Sequence, residues 1–353
     1  MNHLDFPRVG ERMYREVLEN GLHVFVFPKP EFQKSYAFFA TNYGGMDLRF
    51  CLDGTWHDTP AGVAHYLEHK MFDTREGNAL QKLTANGASP NAFTSNAITG
   101  YYFECTEQFE ENLKTLLSFV SVPYFTQESV DKEQGIIGQE IGMIEDDPDW
   151  KVFTNLMKGL YEHHPIRLSV AGSVESIARI TPQTLYDCHK AFYDPANMVL
   201  CVAGNQDPER VCQIAREILP KTAGPIAQKD YGPQEPEGAF QSLVEERLAV
   251  SGPIFQLGYK GDARSGGRRA CASSCWASWP VRCCWATPPP CTPASIRRGS
   301  STGISATDMT ASPAAPFWRQ GASPGTRRPS GPPWRRRPEG LKQRAWTRGC
   351  GTG

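Results

Sequence analysis

The 353-residue sequence predicts an α+β fold, a mostly antiparallel sheet covered by helices, followed by a C-terminal tail that forms no core and is expected to be disordered. Three observations carry this prediction. Short runs of alternating hydrophobicity and longer runs of helical periodicity follow one another without the regular strand–helix alternation that builds a parallel sheet. Turn and cap signals separate them. From about residue 262 the composition changes abruptly and apolar periodicity stops.

Residues 12–28 read as a hairpin turning at Glu19-Asn20-Gly21, with alternation in HVFVF. Residues 35–43 form another strand. Thr59 and Pro60 read as the N-cap and first-turn proline of a helix that carries Val63, Leu67 and Phe72 as apolar positions and ends near Asp73. A short helix follows over residues 79–85. A Gly87-Ala88-Ser89-Pro90 turn then leads into strands through residues 91–105. Helices are expected over 108–120, 127–146, 149–161 and 182–191, a strand over 198–203, and a closing helix over 208–219. A Pro/Gly/Glu stretch over 231–238 reads as a linker, and residues 241–250 and 253–259 as the first strands of another domain. The resulting divisions are an N-terminal domain over 1–222, a linker over 223–240, an incomplete second domain over 241–262 and the tail over 263–353.

Chemistry enters with HYLEH, residues 65–69, on the first predicted helix. Side chains four apart on a helix lie one above the other, so His65 and His69 can aim at one point. Two such imidazoles suit zinc. A catalytic zinc takes three protein ligands, keeps a fourth position for water and lowers the pKa of that water toward neutrality. Glu68, beside both histidines, is then placed to take the proton and hand it to a leaving amine. This order, H-x-x-E-H, is the inverzincin pattern.

The third ligand is expected on the helix over 127–146. Glu140 has Ile136, Ile137, Met143 and Ile144 as helical neighbours, so its carboxylate is expected on an apolar face, where a divalent cation would satisfy it. Glu133 lies seven residues earlier, about two turns away. Its residue pattern allows either a role behind a ligand, orienting a histidine or a water, or simple solvation. Glu128 and Glu145 read as solvated, and His163 and His164 as loop histidines before Pro165.

Beyond the pentad, GVAHYLEHKMF (62–72), NAFTSNAITGYYF (91–103) and KEQGIIGQEIGMIEDDPDW (132–150) occur in the order found in the pitrilysin/insulinase (M16) family of zinc metallopeptidases, which the chain resembles over residues 10–262. HPIRLSVAGSVESIARIT and FYDPANMVLCVAG resemble most its bacterial YmfH-like subgroup. The resemblance implies the same α+β fold. It implies one Zn²⁺ per chain on His65, His69 and Glu140, with Glu68 as general base and Glu133 as an accessory catalytic glutamate. The spacing from His69 to Glu140 is a few residues shorter than in the best-studied members, which a shorter loop between the helices would absorb. Family members bind an extended peptide along a strand edge, and Asn91, Ala92 and Phe93, with Thr94, match that edge. Read from the residues alone, Asn91 is an ordinary turn or cap residue, in a run suited to strand addition. Family members also repeat the fold of the first domain in a second half that closes over the zinc.

The tail has another character. Residues 261–353 hold fourteen arginines but one lysine, six of the eight tryptophans, six of the eleven cysteines, no tyrosine and one leucine. They carry fifteen Lys and Arg against three Asp and Glu, net +12, which leaves net −13 on residues 1–260. Such a segment buries too little apolar surface to offset its chain entropy. Its composition is that of GC-rich coding DNA read out of frame, and the native frame is expected to end near residue 263. A basic nucleic-acid-binding arm is the rival reading, and cysteines and tryptophans without repeat or spacing argue against it.

The five remaining cysteines, Cys51, Cys105, Cys188, Cys201 and Cys212, are scattered, which fits a reducing cytoplasm. No window suggests a secretory signal or a membrane span. The expected function is zinc-dependent endopeptidase activity on peptides, possible as a homo- or heterodimer with a related peptidase-like subunit, with no nucleic-acid or membrane partner. The alternative is a noncatalytic binding or scaffold subunit of a peptidase-like complex. A purely structural zinc is disfavoured by the lack of a fourth protein ligand.

Overall fold

In the computed structural model, which describes residues 1–260 and Ser305–Thr307, the strands and α-helices follow the chain as β1 (Asn2–Phe6), β2 (Glu11–Val17), β3 (His23–Pro28), β4 (Ser35–Thr41), β5 (Arg49–Leu52), β6 (Thr55–Asp58), α1 (Val63–Met71), β7 (Asp73–Thr74), β8 (Gly77–Asn78), α2 (Ala79–Ala85), β9 (Ser89–Thr94) and β10 (Thr99–Cys105). They continue as α3 (Phe109–Ser121), α4 (Gln127–Asp146), α5 (Pro148–Leu160), α6 (Val174–Ile177), α7 (Pro182–Phe192), β11 (Met198–Gly204), α8 (Pro208–Ile218), β12 (Gln228–Asp230), β13 (Leu257–Tyr259) and β14 (Ser305–Thr307).

Seven strands form one sheet in the order β1-β2-β3-β11-β4-β10-β9. Every neighbouring pair is antiparallel except β3 with β11. This is the α+β, mostly antiparallel architecture read from the sequence. Strand alternation sorts the residues by face. Val24, Val26, Ala37, Phe39, Tyr101, Phe103, Leu200 and Val202 lie buried on one side, in a core shared with α1, α3, α7 and α8. Each large side chain there contributes about 1.5–3 kcal/mol. The opposite face carries Tyr36, Phe38, Phe93 and Tyr102, with the rings of Phe38 and Phe93 stacked at 6.0 Å.

The predicted hairpin over 12–28 is β2 and β3, and the predicted helices fall within a residue or two of α2, α3, α4, α5, α7 and α8. Other elements differ from the sequence reading. Strand β1 is exposed along its length, so no apolar stripe marked it. A second, three-stranded sheet, β12-β5-β6, also went unread. Its hairpin turns at Asp53-Gly54, with φ of 51° and 79°, a dipeptide suited to tight hairpins. Strand β12 lies inside the stretch read as a linker. Main-chain pairing with β5 draws it in, and its Lys229 and the following Tyr231 both bond the fully buried Asp47.

Residues 1–157 and 161–235 form one compact unit; residues 158–160 and 236–353 are grouped in another. Within the second, Gln241 N–H donates to the Gly159 carbonyl at 2.8 Å, and β13 pairs with β14. Residues 241–250, expected as a strand, pair with no strand among the described residues, and residues 253–256 do not extend β13. Apart from β14, which needs only main-chain pairing, the tail expected to be disordered lies outside the described residues.

One buried histidine ties the core to pH. His189 on α7 has its Nε2 3.0 Å from the Val120 carbonyl oxygen, and burial pushes its pKa down to about 4. The unfolded chain takes up that proton below about pH 6.5 while the folded chain resists it until about pH 4, so stability falls as pH drops through this window. The loss should approach about 3 kcal/mol. Denaturant titrations across pH 4–7 should show this slope in the wild type and a flatter one in His189→Gln, which keeps a hydrogen-bond donor but does not titrate.

Candidate metal centre

Helix α1 begins where neighbouring backbone pins it. Gly62, at φ 94°, precedes it, and a Cβ there would lie 2.6 Å from the Ala171 carbonyl oxygen. Gly172 approaches the Ala61 carbonyl as closely, and the Ser176 hydroxyl donates to that oxygen at 2.7 Å. Thr59, expected as the N-cap, instead donates its hydroxyl to the Leu48 carbonyl at 2.8 Å, and no side chain caps the helix. Tertiary contacts replace the cap.

One turn separates His65 from His69, and their rings meet edge to face with centroids 4.6 Å apart. Helix α4 starts with a capping box at Thr126 and Ser129 and is tied to α1 by the Tyr66 hydroxyl, which donates to the Val130 carbonyl. Ten residues beyond Val130, nearly three turns on, Glu140 brings Oε1 to 3.5 Å from His65 Nε2 and Oε2 to 3.5 Å from His69 Nε2. Ligand atoms of the three residues lie within 4.8 Å of one another, and this is the one such cluster among the described residues. Two ligands each about 2.1 Å from a tetrahedral ion sit about 3.4 Å apart. The donor set and its spacing therefore fit zinc.

Glu140 does not project from an apolar face, as its helical neighbours suggest. Its side chain is 39% exposed, and Ile136 and Met143 are 49% and 74% exposed. Only Ile137 and Ile141 of that region are buried, so Glu140 sits at the border of the apolar stripe rather than within it. What draws it inward is the pair of imidazoles. His65, beside its carboxylate, holds the Glu140 pKa below the usual range.

Glu133 lies behind His69, its Oε1 3.1 Å from Nδ1. That bond leaves Nε2 turned toward Glu140, and it depresses the pKa of Glu133. Burial works against the charged form of His69, but Glu133, Glu68 and Glu140 together raise its pKa. On His65 the corresponding Nδ1 is buried with no hydrogen-bond partner.

Glu68 is the most enclosed of the three carboxylates, at 7% exposure. Burial raises its pKa, against the opposing pull of His65, His69 and a hydrogen bond from Thr94 Oγ1 at 3.0 Å. Thr94 was read only as part of the strand edge. Strand alternation sets it on the same face as Thr99, whose hydroxyl is 3.5 Å away, but its contact with α1 depends on tertiary packing.

Thr94 ends β9, the last strand of the large sheet, whose outer edge has no paired strand among the described residues. Of the predicted edge residues, Ala92 is partly buried and Asn91 exposed, with Asn91 Oδ1 accepting from the Ala92 N–H at 2.8 Å. The Phe93 ring turns to the opposite face of the sheet against Phe38. Its main chain, not its ring, lies on the edge. Neither His163 nor His164 joins the cluster: His163 pairs with Glu162, and His164 Nδ1 accepts from Ile166 N–H.

Residues 53–174 match the family described as insulinase (peptidase family M16), and residues 179–274 match the peptidase M16 inactive domain. The uncharacterized zinc protease YmfH of Bacillus subtilis is 42% identical over 262 residues, 73% of this chain and 61% of that protein. The A-factor-processing enzyme of Saccharomyces cerevisiae is 28% identical over 258 residues, 65% of this chain and 24% of that protein. A crystal structure of an M16-like peptidase from Alicyclobacillus acidocaldarius superposes with a TM-score of 0.70 at 36% identity, covering 77% of this chain and 64% of that one. The chain thus spans less than two thirds of the length of these relatives.

Metal analysis after gel filtration should find about one zinc per chain. His69→Ala and Glu140→Gln should each lose it, whereas Glu133→Gln should keep it with affinity about 10–100-fold weaker. Zinc retained at full occupancy by His69→Ala would remove that residue from the ligand set.

Proposed function

Because the chain belongs to the insulinase (M16) family of peptidases, we propose that it is a zinc-dependent endopeptidase acting on peptides, with zinc held by His65, His69 and Glu140. The observation that carries this reading is the convergence of both Nε2 atoms on the Glu140 carboxylate, with the buried Glu68 next to His69 on the same helix. When bound, the ion supplies Lewis acidity, making water more acidic and a peptide carbonyl more electrophilic.

The residues of the chain divide the remaining work. Glu68 accepts a proton from the attacking water and returns it to the leaving amine, and its raised pKa suits both transfers. Thr94 holds Oε2 of Glu68, leaving Oε1 for that exchange. Glu133 fixes the His69 ring through Nδ1. The open edge of β9 pairs with the extended peptide through main-chain bonds at Asn91, Ala92 and Phe93, which makes recognition tolerant of sequence. The peptide is one partner, and a related peptidase-like subunit, in a homo- or heterodimer, is the other. The free thiols among the described residues suit a reducing compartment, and we assign the cytoplasm. No helix of the described residues is long and apolar enough to cross a membrane.

A second reading, a noncatalytic binding or scaffold subunit, draws support from the match of residues 179–274 to the inactive domain. The complete HYLEH with Glu140 favours catalysis. Cleavage of fluorogenic peptides by the full chain separates the two. Glu68→Gln should lower kcat/KM by about a hundredfold or more while binding zinc normally. Equal turnover by wild type and variant would remove Glu68 as the base, and zinc binding without any turnover would favour the scaffold.

A further inference from the structure

Lys70 follows His69 directly and is 1% exposed, a rare position for an ammonium group. The helical repeat explains its direction. It lies three and four residues from Leu67 and Tyr66 and seven from Val63, all buried, so α1 carries it inward on its apolar stripe. A buried charge needs partners. Lys70 has two carboxylates: Asp73, to which Nζ donates, and Glu133, whose Oε2 lies 3.7 Å from Nζ. The other oxygen of Glu133, Oε1, is the one at 3.1 Å from His69 Nδ1.

Glu133 therefore bridges a buried cation and the imidazole. Its carboxyl group rotates broadly about its terminal torsion when unrestrained. At 3.7 Å the Lys70 contact is an attraction between charges rather than a hydrogen bond, and it acts in surroundings that screen weakly. We infer that Lys70 is a positioning residue for the metal centre: it holds Oε2 of Glu133, aims Oε1 at His69 Nδ1, and so commits His69 Nε2 to the ion. Asp73, 38% exposed, is the counter-ion that makes burial of the lysine tolerable and has no direct line to the imidazole. This role rests on the zinc reading above.

The test is a double-mutant cycle read as the zinc dissociation constant of the full chain, measured by chelator competition. Lys70→Met should weaken zinc by about tenfold or more in the wild-type background and by much less in Glu133→Gln, because the effect travels through Glu133. Lys70→Met/Asp73→Asn removes both charges of the buried pair together, so it avoids stranding Asp73, and it should show the same loss. Asp73→Asn alone should leave zinc affinity near that of the wild type. A loss of equal size in both backgrounds marks a merely structural lysine and overturns the inference, as does no loss in either lysine variant. Absence of zinc binding by the wild-type chain would overturn the metal assignment as well, so the two failures are distinguishable.

Discussion

Glu140 reaches both imidazoles of α1, one oxygen to each Nε2, and the rest of the fold is arranged around holding that contact. Neither helix could do so alone. Helix α1 contributes spacing, since one turn puts two rings on one side. Helix α4 contributes the carboxylate from a segment more than seventy residues later in the chain. Their relative position is set by what lies beneath: Tyr66 reaching the Val130 carbonyl, Ile137 and Ile141 seated in the core, and Gly62 and Gly172 letting two loops close on the start of α1. The sheet matters to the centre through β9 and β10, which support α1 and bring Thr94 to Glu68.

Three glutamates near the same two histidines acquire different properties from their surroundings. Glu68 is buried, receives one neutral hydrogen bond and has its pKa raised. Glu133 is less enclosed and faces His69 and Lys70, and the ionised form wins. Glu140 stands nearest to solvent with an imidazole against it and is likewise held ionised. Desolvation decides the first case and hydrogen bonding to the imidazoles the other two. One residue type thus has its pKa raised at one position and lowered at two, according to what surrounds it.

The part of this legible in the sequence was the part written in local periodicity. HYLEH could be read because four residues make one helical turn, and the hairpin at 12–28 because HVFVF alternates. The apolar neighbours of Glu140 suggest a buried face, yet Ile136 and Met143 face solvent and only Ile137 and Ile141 are buried. Strand β12 was unreadable for a different reason. Three residues carry no usable period, and the partner β5 lies some 180 residues away, so a Pro/Gly-rich neighbourhood outweighed it. Thr94 and Lys70 show the same limit. Their faces follow from strand and helix phase, but the groups they meet come from other elements.

The glycines of α4 show how far the centre relies on packing. Gly135, Gly138 and Gly142 flank the stretch that carries Glu140, and none has a neighbour that a Cβ would meet, so crowding does not require them. Each costs a helix interior about 1 kcal/mol relative to alanine. Intrinsic propensity therefore argues against an ordered helix at the point that carries Glu140. The helix persists because its other side is anchored: Val130, Ile137 and Ile141 are nearly fully buried, and the capping box at Thr126 supports its first turn. Ile137 and Ile141 bracket Glu140 in sequence, so the residues that seat the helix in the core also fix the direction from which the carboxylate meets the two imidazoles.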